Sequence, residues 1–212
     1  MSTLGLRRRG ALDREALSGK FSLRRVDPDR DLDLVHAWMN DPDVALFWKM
    51  PWARHAIASY LRRQDRNPNS TPYLGELNGV PMSYWELYRA DLEPIAQRYA
   101  AREHDAGLHL LLGNPEYRGR GLAVDLLRAV SSWQLNRDPR VTRVVAEPDI
   151  DNKRSIRAFE RAGFRRTRVI DLPDKRAALM VRDRTHLHRP NYGGTTPVPL
   201  RTQRSTGRHR NY

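Results

Sequence analysis

The stretch HDAGLHLLLGNPEYRGRGLA, residues 104–123, joins an apolar run to a glycine-rich turn. Residues 106–112 predict a buried strand, because the apolar run is short and polar residues bound it. After the turn, apolar residues recur at helical spacing, which predicts a helix over residues 123–135. Gly119 and Gly121 permit backbone conformations closed to other residues, so several amide N–H groups can point into one small volume between strand and helix.

Two arginines add positive charge to this turn. Arg118 and Arg120 alternate with the glycines, and the positive end of the following helix adds to their field. The combination predicts a cradle for a pyrophosphate, although the spacing fits neither G-x-G-x-x-G nor G-x-x-x-x-G-K-[ST]. A helix-entry loop with surface arginines is the alternative that these residues leave open. The predicted pyrophosphate-binding residues are Arg118, Gly119, Arg120, Gly121, Leu122 and Ala123.

Composition restricts the chain to a few classes of protein. The 212 residues include no cysteine, which excludes disulfides, thiolate metal sites and a cysteine nucleophile. No apolar run approaches the roughly 18 residues that a membrane span requires, and the N-terminal residues do not resemble a secretory signal. We therefore expect a cytoplasmic protein. The histidines are scattered and form no ligand cluster, so no metal is expected.

The positive charge is concentrated at the two ends of the chain. The net charge is +13, of which residues 1–20 supply +3 and residues 184–212 supply +6. This asymmetry predicts an N-terminal extension over residues 1–20, one domain over residues 21–183 and a basic tail over residues 184–212. Residues 190–212 are rich in Gly, Pro, Thr and Arg, which predicts disorder. Such a tail is typical of a solvated extension, and we expect neither a nucleic-acid nor a membrane partner.

The order of the predicted elements indicates the fold class. It runs strand, two helices, three strands, helix, strand, helix, two strands, which predicts an α/β domain around a single mixed central sheet. Asn78-Gly79 predicts a hairpin, whereas the strands on either side of the 123–135 helix should pair in parallel. The other predicted helices are 29–40, 54–64 and 154–162, and the strands are 21–26, 71–77, 80–88, 106–112, 141–146, 164–172 and 177–181.

Two motifs resemble one known superfamily. Residues 118–123 match the pattern [QR]-x-x-G-x-[GA], and DNKRSIRAFERAGF, residues 151–164, is similar to a helix that follows that pattern. Both resemble the GCN5-related N-acetyltransferases (GNAT), and the resemblance covers residues 21–183. It implies a GNAT fold, in which two central strands splay apart around the thioester of an acyl-CoA co-substrate. It also implies that Asn152 and Ser155 lie near the pantetheine arm.

That fold gives His109 and Asp149 a common location. His109 lies on the strand before the turn, and Asp149 ends the next strand, VTRVVAEPD. We expect them to face each other across the cleft, with the carboxylate accepting a proton and the imidazole orienting the nucleophile. A core histidine and an N-cap aspartate are the structural alternatives. The backbone amides expected to hold the acyl oxygen are those of Leu110, Leu111 and Leu112.

Four further segments carry a narrower resemblance: DVALFW (43–48), PMSYWELY (81–88), DAGLHLLLG (105–113) and AEPDIDN (146–152). They are similar to the siderophore-biosynthesis acyltransferases, which acylate an N-hydroxylated lysine or diamine to a hydroxamate. The resemblance implies acetyl-CoA or succinyl-CoA as the donor and N-hydroxycadaverine or N6-hydroxylysine as the acceptor. It also implies an amine N-hydroxylase and a siderophore synthetase as partner enzymes. The functional histidine and acid of that family fall on His109 and Asp149.

Four other side chains are candidates for binding the acceptor. Trp48, Trp85 and Tyr88 are predicted to wall a pocket around an aliphatic chain, and Glu86 to hold the far ammonium of a diamine or lysine. Core aromatics and a solvated strand charge are the alternatives. Two other functions stay open: a GNAT enzyme acting on a polyamine, a drug or a protein N-terminus, and a non-catalytic protein that binds CoA or RNA.

Overall fold

The computed structural model describes residues 20–184 and 201–203, in which eight strands form one mixed sheet. The strand order is β6-β7-β5-β4-β3-β2-β1-β8, with parallel pairing only between β4 and β5 and between β1 and β8. This confirms the predicted mixed α/β architecture. The strands are β1 Phe21–Arg25, β2 Ser70–Leu77, β3 Val80–Arg89, β4 Ala106–Leu112, β5 Arg143–Ala146, β6 Arg165–Asp171, β7 Arg176–Asp183 and β8 Arg201–Gln203.

Helices cover both faces of this sheet. Apolar residues of α4 and α5 pack with Leu108 of β4, whereas those of α1 and α3 pack with Leu111. Successive side chains of a strand point to opposite faces, so His109 shares the face of Leu111. In the described residues the α-helices are α1 Leu32–Met39, α2 Pro42–Trp48, α3 Arg54–Arg66, α4 Leu122–Arg137 and α5 Lys153–Arg161.

The helix α2 was not predicted from the sequence. It starts at Pro42 behind Asp41, whose side chain accepts a hydrogen bond from the Asp43 amide at 2.9 Å. It has only seven residues, none of them fully buried, so it is shorter than the window of about 11–18 residues in which helical periodicity is detected. Its local signals are the Asp-Pro pair and its cap.

The two parallel central strands separate soon after they meet. The pairing of β4 with β5 is limited to Ala106 with Val144 and Gly107 with Val145. β4 continues to Leu112, whereas β5 ends at Ala146. The gap beyond the last pair is the predicted splayed cleft of the GNAT fold.

The ends of the chain differ in part from the prediction. Arg201–Gln203 forms a strand that pairs in parallel with β1, although disorder was predicted over residues 190–212. Pairing with β8 occupies hydrogen-bonding groups that β1 would otherwise expose as an edge strand. Residues 1–19, 185–200 and 204–212 lie outside the described residues. Within the described ranges, no helix is both long and apolar enough to cross a membrane.

Candidate active site

A cavity of about 550 Å³ occupies the gap between the splayed strands. Its walls come from β4, the glycine-rich turn, the first turn of α4, residues 146–149 after β5, and α5. The helix α2 closes another side with Val44, Phe47 and Trp48. The cavity therefore joins the predicted pyrophosphate turn to the strand that carries His109.

The glycine-rich turn has the backbone that an anion cradle requires. Gly119 and Gly121 have φ angles of 72° and 82°, and no heavy atom lies within 4 Å of a Cβ built on either. Gly121 is the N-cap of α4, and no side chain caps this helix end. The amides at the start of α4 are therefore available to an anion. Ala123 lines the cavity, whereas the side chain of Leu122 is buried in the core.

The two arginines of the turn do not act alike. Arg118 donates from Nε to the Leu112 carbonyl at 2.8 Å and from Nη2 to the Gly113 carbonyl, and Nη2 lies 3.1 Å from the Asp41 carboxylate. Its guanidinium is thus engaged by the end of β4 and by Asp41, while Arg118 also lines the cavity, and its predicted role at the pyrophosphate stays a prediction. Arg120 is exposed and lies outside the cavity wall.

Asn152 and Ser155 form the N-terminal cap of α5. The Asn152 side chain accepts a hydrogen bond from the Ser155 amide at 3.0 Å, which satisfies one unpaired amide of the first helical turn. Both residues line the cavity. Capping explains why these two residue types occur at this spacing, and it also fixes their side chains at the cavity wall.

His109 lies between two buried carboxylates. Its Nδ1 is 3.0 Å from Glu86, which is opposite it in the β3–β4 register, and its Nε2 is hydrogen-bonded to Glu147. The Tyr88 hydroxyl donates to Glu147 at 2.8 Å and lies 3.3 Å from His109 Nε2. The expected pairing of His109 with Asp149 is therefore replaced by a pairing with Glu147.

The two carboxylates determine the charge of the imidazole. Burial alone lowers the pKa of His109, but the negative charges and hydrogen bonds of Glu147 and Glu86 outweigh it and raise this pKa to about 10. Burial likewise disfavours ionised Glu147, yet His109 lowers the pKa of Glu147 to about 2. At neutral pH the site holds an imidazolium and two carboxylates, so His109 has no lone pair with which to accept a proton.

Glu86 is occupied by internal hydrogen bonds. One oxygen accepts from the Tyr60 and Tyr84 hydroxyls, the latter at 2.9 Å, and the other faces His109. Its side chain is 8% exposed. Glu86 would have to give up these partners to hold a substrate ammonium. It therefore anchors His109 and also lines the second cavity described below, and its predicted role in binding the acceptor stays a prediction.

Asp149 lines the same cavity but has other partners. It forms an ion pair with Lys49 at 3.0 Å and accepts a hydrogen bond from the Asp151 amide at 3.0 Å. Burial opposes its ionisation, but that amide and the Lys49 ammonium outweigh it and keep the pKa of Asp149 below its usual value. Sequence reasoning placed the carboxylate that pairs with His109 two residues too far along the chain, whereas the predicted catalytic role of Asp149 stays a prediction. The missed signal was Glu147, the last residue before the Pro148 bend.

The three aromatic candidates occupy different places. Trp48 lines the cavity and stands edge-to-face against His109, with ring centroids 6.3 Å apart. Trp85 is fully buried and packs edge-on against Phe21, and its indole N–H donates to Ser83. The prediction that Trp85 contacts the acceptor is therefore wrong, because the strand alternation turns this side chain into the core.

A second cavity lies beside His109. It measures about 190 Å³, and His109 and Glu147 line both cavities. Tyr88 lines the second cavity rather than the first, together with Glu86 and Glu93. His109 and its partners thus separate the larger cavity from a smaller chamber that three glutamates line. In the described ranges, no three His, Asp or Glu side chains are grouped to hold a metal ion.

Comparison with known proteins agrees with this geometry. The family model described as "Acetyltransferase (GNAT) domain" matches residues 27–172. An N(6)-hydroxylysine O-acetyltransferase of Escherichia coli is 36% identical over 166 residues, covering 78% of this chain and 53% of that protein. The chain thus spans about half the length of this relative. The lysine N-acyltransferase MbtK of Mycobacterium sp. (strain MCS) is 34% identical over 184 residues, covering 87% of this chain and 75% of that protein.

A solved structure extends the comparison to a bound ligand. The structure of AAC(6')-Ib in complex with paromomycin and acetyl-CoA superposes with a TM-score of 0.72. It is 29% identical in sequence, and the match covers 82% of this chain and 99% of that one. With the glycine-rich turn, the splayed strands and the family model in agreement, we conclude that this chain belongs to the GNAT family of acetyltransferases.

Proposed function

We propose that this chain transfers an acetyl or succinyl group from acyl-CoA to the hydroxylated nitrogen of a diamine or lysine. N-hydroxycadaverine and N6-hydroxylysine are the acceptors we consider first, and the product is a hydroxamate for a siderophore. The observation that carries the proposal is the hydrogen-bonded pair of Glu147 and His109 at the wall of the cleft. Two relatives whose names specify hydroxylysine and lysine as substrates support it.

The protonation state of the acceptor nitrogen favours a hydroxylamine over an alkylamine. An alkylammonium, whose pKa is near 10.4, stays almost entirely protonated at neutral pH, and Glu147, whose pKa His109 lowers, is a poor acceptor for that proton. A hydroxylamine nitrogen is much less basic and is mostly neutral at neutral pH. Its attack on the thioester carbonyl makes the N–H strongly acidic, and Glu147 accepts that proton as the bond forms.

The transfer needs no covalent enzyme intermediate. The acceptor nitrogen forms a bond to the thioester carbon, and the tetrahedral oxyanion then collapses and breaks the C–S bond. The CoA sulfur leaves and takes up a proton, and the acyl group remains on nitrogen. Amides of Leu110 to Leu112 on the splayed part of β4 are the proposed donors to the oxyanion. His109 acts as a positioning residue, because it fixes Glu147 and keeps it ionised.

The acyl-CoA side of the cleft is assigned to the turn and to α5. The pyrophosphate is proposed to bind the amides around Gly119 and Gly121, and the pantetheine arm to pass Asn152 and Ser155. Arg154, Arg157 and Arg161 of α5 also line the cavity and supply positive charge near the phosphates. The second cavity is assigned to the far end of the acceptor, where Glu93 can face an ammonium.

An ordinary amine is the second candidate acceptor. The structure of AAC(6')-Ib in complex with paromomycin and acetyl-CoA supports it, because the match covers 82% of this chain. Such a reaction requires removal of a proton before attack. Almost all of an alkylamine is protonated at neutral pH, so little reactive acceptor is present, and we rank this route second for that reason.

The proposed reaction lies between two other enzymatic steps in the cytoplasm. An amine N-hydroxylase must supply the acceptor, and a siderophore synthetase must condense the product. The name of the E. coli relative specifies O-acetyl transfer, so the acylated atom has to be measured. Acylation on nitrogen gives an iron-binding hydroxamate, whereas acylation on oxygen gives an ester that binds iron poorly.

An acceptor panel tests the proposal. CoA release is measured with acetyl-CoA and succinyl-CoA against N-hydroxycadaverine, N6-hydroxylysine, their non-hydroxylated parents and paromomycin. Products are identified by mass spectrometry and by the colour of the ferric complex. We expect turnover on a hydroxylamine and a ferric hydroxamate. Turnover confined to plain amines or to paromomycin would contradict the proposal and favour the second candidate.

A further inference from the structure

The second cavity, of about 190 Å³, lies beside the proposed reaction centre. Its wall comes from the end of α3, the first residue of β2, the middle of β3 and the short turn that follows β3. Because Glu147 and His109 line both cavities, an acceptor whose nitrogen lies beside Glu147 has its carbon chain at the boundary between them. The far end of a short acceptor can therefore enter the second cavity.

The charges that line this cavity do not cancel. The three glutamates Glu86, Glu93 and Glu147 stand against one imidazolium, that of His109, which leaves a formal charge of −2. Among the described residues, neither a lysine nor an arginine belongs to the wall. Lys175, whose charge helps to lower the pKa of Glu147, lines the larger cavity instead. The second cavity is therefore complementary to a cation.

Two hydrogen-bond acceptors of the wall are available to a ligand. The carboxylate of Glu93 accepts from the Asn67 side chain at 3.5 Å, which is long for a hydrogen bond. Gln64 lines the same cavity, and its Oε1 is buried without a hydrogen-bond partner in the part of the chain that the structure describes. A buried oxygen without a partner is costly, so a ligand N–H at this position would be stabilising. The other two glutamates are already paired with His109.

An amino acid brings a second charge to the same end of the acceptor. In N6-hydroxylysine a carboxylate stands beside the far ammonium, whereas in N-hydroxycadaverine the ammonium stands alone on a chain of the same length. A carboxylate in the second cavity would lie among three glutamates, and no lysine or arginine of the described wall could pair with it. Such a juxtaposition of like charges disfavours binding and discriminates between acceptors.

We propose that the second cavity selects an acceptor whose far end is an ammonium without a neighbouring carboxylate, so that a hydroxylated diamine is preferred to a hydroxylated amino acid. Glu93 and Gln64 are the specificity-determining residues. Glu93 supplies a charge and a hydrogen-bond acceptor, and Gln64 supplies a second acceptor. The hydroxylated nitrogen stays beside Glu147 in the larger cavity. This inference rests on the function proposed above and narrows its two acceptor classes to one.

A series of acceptors of one chain length is the first test. CoA release from acetyl-CoA is measured with N-hydroxycadaverine, N-hydroxypentylamine, N6-hydroxylysine and N6-hydroxylysine amide. We expect kcat/KM for N-hydroxycadaverine to exceed that for N-hydroxypentylamine and that for N6-hydroxylysine by about 10–100-fold, the usual effect of a hydrogen bond to a charged group. The amide, which lacks the carboxylate, should approach N-hydroxycadaverine.

Variants of the wall are the second test. Glu93→Gln keeps the size of the side chain and removes its charge, so it should reduce the preference for N-hydroxycadaverine over N-hydroxypentylamine by about tenfold. The rate with N-hydroxypentylamine should change by less than about twofold, because this acceptor makes no charged contact there. Gln64→Leu should reduce the same preference by a smaller factor. The matched control is Glu103→Gln, whose side chain is 84% exposed and lies outside both cavities.

Binding without chemistry separates this inference from the proposed function. Calorimetry measures the affinity of the CoA complex for cadaverine, pentylamine and lysine. If no hydroxylamine is acylated, the proposed function fails, and the inference then requires that cadaverine binds more tightly than the other two in wild type but not in Glu93→Gln. The inference is overturned if N-hydroxypentylamine or N6-hydroxylysine is used as well as N-hydroxycadaverine, or if Glu93→Gln keeps the wild-type preference.

Discussion

At the scale of single residues, His109 owes its charge to neighbours from two different strands. Glu86 is directly opposite it on β3, and Glu147 follows β5. Both carboxylates are buried, so neither is screened by water. The imidazole therefore stays protonated and serves as a fixed cation between two anions.

Replacing the proposed proton acceptor should give the largest loss of kcat at this scale. We expect Glu147→Gln to lower kcat by about 10²–10⁴, the usual contribution of a positioned base. Asp149→Asn removes a carboxylate of the same cavity that pairs with Lys49, and it should cost less than about tenfold. Steady-state kinetics with both variants checks this, with CoA affinity and thermal unfolding as controls for folding. A larger loss in Asp149→Asn would return the base to Asp149.

The charge of His109 can be observed directly by NMR. Its pKa is raised to about 10 from a usual value near 6.5, so its resonances should not titrate between pH 6 and 8. His109→Gln identifies the signal by its loss. Glu147→Gln should lower the pKa of His109 towards neutral pH. A midpoint near 6.5 in the wild type would contradict the assigned imidazolium.

The same shifts determine the pH dependence of stability. Because the folded pKa of His109 is raised, its contribution is complete below pH 6.5 and is lost as the pH rises towards 10. The folded pKa of Glu147 is lowered to about 2, so its contribution is complete above pH 4.5 and is lost as the pH falls towards 2. Urea unfolding of wild type and Glu147→Gln at pH 6 and pH 10 should therefore differ more at pH 6.

At the scale of elements, the glycine-rich turn was predictable because its signal is local. Spacing alone placed Gly119 and Gly121 between a strand and a helix. Other features depend on contacts between distant elements and produce no local pattern in the sequence. The hydroxyls that occupy Glu86 come from Tyr60 of α3 and Tyr84 of β3, and Asp41, which precedes α2, pairs with Arg118 of the turn. The helix α2 is too short for its apolar spacing to stand out as a periodicity.

Alanine substitutions at two matched glycines separate the effect of backbone strain on stability from an effect on anion binding. Gly121 and Gly79 have φ angles of 82° and 80°, and neither has a heavy atom within 4 Å of a built Cβ. Alanine at either position should cost about 1–2 kcal/mol of unfolding free energy through left-handed strain alone. Gly121→Ala should in addition weaken CoA binding, as measured by calorimetry, whereas Gly79→Ala in the β2–β3 hairpin should not. Equal CoA affinity in both variants would contradict the anion cradle.

At the scale of the whole molecule, the sequence predicted the sheet, its parallel central pair and the cleft. It missed the addition of Arg201–Gln203 to β1, because a three-residue polar strand has no apolar alternation to detect. The charge distribution, like the fold, separates the domain from the two ends of the chain. Residues outside 21–183 supply +9 of the net charge of +13, whereas the residues of both cavities lie within 21–183.

Deleting residues 185–212 tests the role of the basic end. We expect kcat/KM for acyl-CoA to stay within about threefold of wild type, a change below 1 kcal/mol, because the described cavity residues all precede this segment. The melting temperature should fall slightly as β1 becomes an edge strand. Loss of all activity from a folded variant would favour a protein that works through its basic ends.

A competition assay, with two acceptors in one reaction mixture, tests the central claim most directly. Wild-type protein is given acetyl-CoA with equal concentrations of N-hydroxycadaverine and cadaverine at pH 7, and the two products are quantified by mass spectrometry. Only roughly one cadaverine amine in a few thousand is neutral at this pH, and Glu147 is too weak a base to deprotonate the rest. We expect hydroxamate to exceed amide by about a hundredfold or more. Equal yields, or an excess of amide, would contradict the account.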